Sequence, residues 1–362
     1  MNYYVVEGTP DGEYNATNKA REDVERILDE NNISRLTVNT KYGVQRKKYL
    51  KWKQFLTYKF NIFDWNKSLD KIKEGDVVFI QYPLLNTTTN LYKIIIKYKE
   101  KGIRFVAIIH DLDSLRFDEK SKKTFRYKRV CKEDSQLLNS MNYVIAHNTS
   151  MKKELVKKGI KEENIIVLQL FDYLIDNKIA EFIDCNHNNE YKKTVIIAGN
   201  LSPYKAKYLK DINRVNVKFN LYGAGFEDSM RGNNIEYYGK FKPDELIEHL
   251  KGDFGLIWDG ETIDTCSGSF GNYLRYNNPH KASLYLTAGI PIIVWKESAL
   301  KEFVENNNVG ISVDSLYDIK KVLDNISNEQ YEEMKENALK ISKKTRQGLY
   351  LKQSINSILD KQ

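Results

Sequence analysis

Short apolar runs alternate along the whole chain with longer stretches whose apolar residues recur at helical spacing. That alternation predicts strands joined by helices, the pattern of an α/β protein built on parallel sheets. In the first half the predicted strands are Tyr3 to Val6, Leu36 to Val38, Val77 to Gln81, Phe105 to Ile109 and Tyr143 to Ala146. In the second half they are Thr194 to Ile197, Asn216 to Leu221, Ile235 to Tyr237, Phe254 to Ile257 and Ile292 to Trp295. Runs such as VVFIQ and IIVW are apolar throughout, as expected where helices cover both faces of a sheet. The polar stretch EFIDCNHNNEYKK, 181–193, lacks any apolar period and separates two halves, each with its own sheet. A chain of 362 residues fits two such domains better than one core.

Ligands of parallel sheets bind beyond the carboxyl ends of the strands. Polar or glycine-rich tips follow five of the predicted strands: YPLLNTT, HDLDSLR, AGNLSPYK, YGAG and WDG. Together they outline a cleft between the halves. HDLDSLR offers His110 and Asp111, either of which could take a proton from an acceptor hydroxyl, although Asp also suits a plain turn. AGNLSPYK offers Gly199 and Asn200, then Tyr204 and Lys205; a glycine permits close backbone approach and a lysine offsets phosphate charge. It is neither GxGxxG nor GxxxxGK[ST], so dinucleotide and ATP chemistry lose support. Gly, Asn, Ser and Pro are also ordinary loop residues.

Two helix starts carry the remaining candidates. NATNKAREDVERIL opens an amphipathic helix with Asn18 and Lys19 near its amino end. The second follows a strand ending at Trp258 and Asp259 and a Gly- and Ser-rich excursion. There RYNNPHK supplies Tyr276, Asn277, Asn278, Pro279, His280 and Lys281, with Asn278 as N-cap, Pro279 at the first helical position and Ala282 to Ala288 helical. A helix amino end gathers unpaired N–H donors and positive potential, which suits a diphosphate. Both starts also fit simple capped helices.

Composition, 41% hydrophobic and 29% charged, is that of a folded globular protein. No apolar run approaches the roughly 20 residues of a membrane span, and MNYYVVEGTPDG lacks the pattern of a signal peptide, so a cytoplasmic protein is expected. Cys131, Cys185 and Cys266 have no metal-type spacing, which argues against a disulfide framework or a zinc site. The net charge of +8 is concentrated. KYGVQRKKYLKWKQFLTYKF, 41–60, carries seven Lys/Arg and no acid among six aromatics, and RFDEKSKKTFRYKRVCK follows at 116–132. Basic residues mixed with aromatics suit an anionic membrane surface, the inner face of the plasma membrane for a cytoplasmic protein. Nucleic acid would be drawn by the same charge but is not the expected partner. A solvated helix face is the plainer reading.

With these motifs in view the chain resembles bacterial glycosyltransferases of the GT-B type, two facing Rossmann-like domains. It is most similar to β-1,6-galactofuranosyltransferases and the related glucosyltransferases of streptococcal adhesin glycosylation. The residues that carry the resemblance are NKAREDVERI at 18–27, QYPLLNTT at 81–88, IIHDLDSLR at 108–116, AGNL at 198–201, YGAGF at 222–226, FGLIWDG at 254–260 and CSGSFGNYLRYNNPHKASLYLTAGIPIIVW at 266–295. The resemblance implies an acceptor-side domain over 1–180, a nucleotide-sugar domain over 190–346, and a terminal helix within 347–362 returning to the first domain. It implies a UDP-sugar donor, transfer without a metal or other cofactor, inversion at the sugar carbon, a glycan acceptor on a lipid carrier, and homo-oligomers in some members. Asn18, Lys19, Gly199, Asn200, Tyr222, Gly223 and Asn277 to Lys281 match its donor-site motifs, and Asp111 is the first candidate base, His110 the second. A non-catalytic sugar-nucleotide-binding subunit and a nucleotide-sugar epimerase remain the alternatives.

Overall fold

The computed structural model describes residues 1–7, 16–39, 61–86, 88, 90–117, 123–185 and 191–361, without the side chains of 16–18. The basic-aromatic stretch 41–60, residues 8–15 and part of 116–132 therefore lie outside the described residues, as does the Asn18 side chain. Among the described residues twelve strands form two all-parallel sheets of six. The first contains β1 (Asn2–Glu7), β2 (Ser34–Val38), β3 (Val77–Tyr82), β4 (Arg104–Ile109), β5 (Tyr143–Ala146) and β6 (Ile165–Val167), in the order β2-β1-β3-β4-β5-β6. The second contains β7 (Val195–Ala198), β8 (Phe219–Tyr222), β9 (Ile235–Tyr237), β10 (Phe254–Ile257), β11 (Ile292–Trp295) and β12 (Gly310–Val313), in the order β12-β11-β10-β7-β8-β9.

All ten predicted strands are present, with shifts of up to three residues at their ends. Two were not predicted. β6 has three residues and only Ile165 buried, and β12 has only Val313 buried, so neither carries a long apolar run. In each sheet the strand order reverses at one place, between β1 and β3 and between β7 and β10. Such reversals open a crevice at the carboxyl ends of the strands, so both halves have a binding edge prepared by topology.

Hydrogen bonds between the halves bring these edges face to face. The Tyr273 hydroxyl accepts from the Leu112 amide at 2.7 Å, and Tyr173 donates to the Pro243 carbonyl at 2.7 Å. The buried Lys19 ammonium reaches Asp23 at 2.7 Å, the Leu174 carbonyl at 2.6 Å and Asp244, on helix Pro243–His249, at 3.0 Å. The chain crosses from the first sheet through 168–176, where Leu168, Leu170, Phe171, Tyr173 and Leu174 join one hydrophobic core that continues into the second half. Helix Asn177–Cys185 occupies the first part of the polar stretch 181–193.

The chain then returns. Helix Asn328–Arg346 leads through Gly348 to helix Leu349–Leu359, which packs on helix Ala16–Glu30 of the first half. Gly348 has φ +70°, and a Cβ there would approach Ile27 to 2.7 Å, so this crossing needs glycine. Buried Asp172 accepts the amides of Tyr350 (3.2 Å) and Leu351 (2.8 Å) in the first turn of the last helix. Burial is the main cause that raises its carboxyl from 3.8 to about 7. The folded state thus holds this proton more tightly than the unfolded chain, so the group's stabilising contribution is complete below about pH 4 and is lost as pH rises to about 7. Asp172→Asn cannot titrate. Scanning calorimetry at a series of pH values should show its melting temperature rising, relative to the unaltered protein, from about pH 4 to about pH 7 and then levelling off.

Candidate active site

Beside the reversal of the second sheet, Gly199 (φ +121°) follows β7 and Gly223 (φ +139°) follows β8. A Cβ on Gly223 would lie 1.8 Å from the Gly199 carbonyl oxygen, whereas one on Gly199 would meet nothing within 4 Å. The two strand ends are therefore closed on each other, with open space above Gly199. Asn200 folds the next turn by accepting the Ser202 amide at 2.9 Å. The loop then pairs with the end of β10, where the Gly260 amide donates to the Lys205 carbonyl at 3.1 Å.

Three charged residues converge there. Buried Asp259 binds Lys281 at 2.9 Å and lies 3.8 Å from Lys205, and Lys281 also donates to the Trp258 carbonyl at 3.0 Å. Two ammonium groups around one carboxylate leave a net positive charge. Burial lowers the Lys281 pKa, opposed chiefly by the Asp259 carboxylate. An ammonium carries three N–H donors, and Lys281 uses two, so one is left for a ligand.

Lys281 stands in the first turn of helix His280–Thr287. The N-cap is Pro279, in extended conformation, so the helix begins one residue later than Asn278-Pro279 capping predicts, and no side chain caps it. At this amino end Asn277 Oδ1 and His280 Nε2, and in the loop before it Ser267 Oγ, are buried and have no hydrogen-bond partner among the described residues. Unpaired buried polar atoms carry a desolvation cost that a ligand can relieve. His280 packs against Tyr173 (5.3 Å) and Phe171 (5.9 Å), and burial pulls its pKa down to about 3, so the ring is neutral.

Phe171 is the shared floor of the two halves. His110 stacks on it at 5.5 Å with ring planes 13° apart, and His280 meets the same ring at 5.9 Å. The Gln81 amide donates to Glu25 Oε1 at 3.5 Å, which turns the Gln81 carbonyl to His110 Nε2 at 2.7 Å. A carbonyl only accepts, so Nε2 holds the proton and Nδ1, with no partner among the described residues, holds the lone pair. Burial, followed by the nearby Arg21 cation, lowers the His110 pKa well below 6.5.

Asp111 is ion-paired to Arg116, which also approaches Asp113 at 3.3 Å and lies over the Tyr273 ring at 4.8 Å. This ion pair commits the Asp111 carboxylate to Arg116 within its own loop. The HDLDSLR loop is further held by Asp134, which accepts the Ser114 amide at 3.0 Å and the Tyr82 hydroxyl.

Other predicted site residues lie elsewhere. Tyr222 is buried, stacks on Tyr238 at 5.0 Å and accepts the Lys251 amide at 3.0 Å. Lys19 is fully engaged between the halves, as above. Tyr204 is 83% exposed beside Phe270. Trp258 is buried, its indole donating to the Thr262 carbonyl at 3.0 Å, and contributes its backbone carbonyl. Tyr276 gives its carbonyl to Asn148 (3.0 Å), and Asn278 is bound entirely by residues of the first half. Phe171 and His147 gave no sequence signal, whereas Arg116 and Tyr273 lay inside quoted motifs without being singled out. Among the described residues no group of three or more His, Cys, Asp or Glu is gathered to hold a metal, and no helix is long and apolar enough to cross a membrane.

Two facing parallel-sheet domains, each with a crevice at its strand ends, form the GT-B arrangement. Solved structures with this fold include Anabaena Alr3699/HepE in complex with UDP, with TM-score 0.59, 14% identity and full coverage of both chains. Sucrose-phosphate synthase from Thermosynechococcus elongatus has TM-score 0.62 and 10% identity, over 100% of this chain and 99% of that one. The glucosyltransferase 3-like family matches both halves, its N-terminal domain over residues 2–170 and its C-terminal domain over 195–358, and the chain belongs to that family. It is similar to the β-1,6-galactofuranosyltransferase WbbI of Escherichia coli K12, 32% identical over 295 residues, which are 80% of this chain and 81% of that one. Glucosyltransferase 3 of Streptococcus gordonii is 24% identical, with 77% of each chain covered.

Proposed function

We propose that this glycosyltransferase moves galactofuranose from UDP-galactofuranose to a hydroxyl of a lipid-linked glycan, with inversion and without a divalent metal. The observation that carries this reading is that Phe171 gathers both parts of the site, with the ring of His280 at the unsatisfied, cationic amino end of helix His280–Thr287 at 5.9 Å and the ring of His110 at 5.5 Å. The His110 Nδ1 lone pair takes the acceptor hydroxyl proton as that oxygen attacks the sugar carbon. The bond from that carbon to UDP breaks, and its electron pair leaves on the diphosphate. Lys281, Lys205 and the helix N–H groups stabilise that charge, in place of a metal. The free lone pair supports His110 as base over Asp111, which is held by Arg116.

The relation to WbbI supports galactofuranose, and the streptococcal relatives, at 24% and 25% identity, support glucose as the second reading. Contact with an anionic membrane is supported by the start of helix Phe125–Ser140. There Phe125 is 82% exposed among exposed Lys123, Arg126, Lys128, Arg129 and Lys132. A donor panel assayed with lipid-linked acceptor tests the sugar. UDP-galactofuranose should give product at a kcat/KM at least about tenfold above UDP-glucose or UDP-galactopyranose, a difference of about 1.4 kcal/mol. Preference for UDP-glucose would favour the second reading.

A further inference from the structure

We infer that His147 is a positioning residue that sets the distance between the acceptor-side base and the leaving-group helix. Its imidazole is 1% exposed and bridges the two halves of the site directly. Nε2 lies 2.9 Å from the Ile109 carbonyl, the residue before His110, and Nδ1 lies 3.0 Å from the Asn278 amide, two residues before His280. A carbonyl can only accept and an amide N–H can only donate, so Nε2 carries the proton and Nδ1 the lone pair. The ring is therefore neutral, in agreement with burial drawing its pKa down to about 4. One rigid ring thus joins the backbone that carries the base to the backbone that carries Lys281.

The surrounding bonds fix that ring on both sides. Asn148, next in sequence, donates to the Tyr276 carbonyl (3.0 Å) and to Asn278 Oδ1 (2.7 Å), while its own Oδ1 caps helix Thr149–Lys157 through the Met151 amide (2.9 Å). Asn278 Nδ2 donates to the carbonyls of His147 (3.2 Å) and Gln169 (2.5 Å). Gln169 adopts φ +71°, an uncommon left-handed conformation for a side-chain-bearing residue. The ring edge also packs on Phe171 at 4.8 Å, the floor shared by His110 and His280. Every polar atom of Asn278 named here is bonded to a residue of the first half, so this motif residue serves the joint between the halves.

The inference rests on the proposed reaction, and its consequence is a particular split of kinetic effects. Lys281, Lys205 and His280 all belong to the second half, so donor binding does not need the bridge. Attack needs both halves in register, and an error of about 1 Å in such geometry costs on the order of 10²-fold in rate. His147→Phe keeps an aromatic ring on Phe171 and removes both bridging bonds. It should lower kcat about 10- to 100-fold while the UDP Kd and donor KM stay within about threefold. His147→Gln, which retains an acceptor and a donor, should recover part of that loss.

Asn148→Asp keeps the helix cap and removes the two donations across the joint, so it should show the same split if His147→Phe fails to fold. Unchanged kcat in a folded His147→Phe or Asn148→Asp protein would overturn the inference, as would a loss confined to donor KM. Calorimetric binding of UDP to the unaltered protein and its turnover are measured in parallel, so failure of the proposed reaction is seen separately.

Discussion

Replacing His110 by Ala should reduce turnover by about 10²- to 10⁴-fold while UDP affinity stays near that of the unaltered protein. The expectation follows from its position, stacked on Phe171 with Nε2 committed to Gln81 and Nδ1 left with its lone pair. Among the described residues the His110 ring is hydrogen-bonded to Gln81 and not to a donor-side cation, so its loss is felt in the rate rather than in binding. Asp111→Asn is the informative comparison. That change leaves Arg116 with Asp113 as its carboxylate partner among the described residues and perturbs the loop, so a smaller loss, below about tenfold, is expected. Steady-state rates of both variants, beside calorimetric UDP titrations, check the assignment. A full loss in Asp111→Asn with near-normal turnover in His110→Ala would reverse it.

The second large effect belongs to Lys281. Lys281→Ala should weaken UDP binding by about 10- to 100-fold, the range of about 1.5–3 kcal/mol set by a hydrogen bond to a charged group. The same change leaves buried Asp259, among the described residues, with the more distant Lys205 as its cation, so a diphosphate would meet a less compensated carboxylate. Turnover should fall as well, because the charge on the leaving group grows as the bond to the sugar breaks. Titration calorimetry with UDP reads the first effect directly. Affinity unchanged in Lys281→Ala would mean that the diphosphate lies elsewhere.

The strands were legible wherever a run is buried on both faces. VVFIQY of β3 and IIVW of β11 have every residue buried, so apolarity alone marks them. β6 and β12 escaped because a strand of three or four residues at the edge of a sheet needs no such run. The cationic helix end at Lys281 was legible for a local reason, since a turn-rich loop, a proline and a lysine stand together in sequence. Asn278 was not, because its partners His147, Asn148 and Gln169 lie 109 or more residues away. Asp111 and Arg116 are neighbours in the motif, yet only the folded loop pairs them and leaves the lone pair to His110. Tyr222 shares a strand end with Gly223, but its side chain points into the sheet's covering layer, where Lys251 and Tyr238 receive it.

Acceptor-dependent release of UDP, followed with purified protein, UDP-galactofuranose and lipid-linked glycan in excess EDTA, tests the central claim that this cleft transfers a sugar with protein cations at the leaving group. UDP release should require the acceptor, persist in the chelator and yield a sugar-extended glycan. Release or interconversion of the donor without acceptor would indicate an epimerase. Binding of the donor with no release would indicate a non-catalytic subunit, and loss of release in EDTA would contradict the role assigned to Lys281 and Lys205.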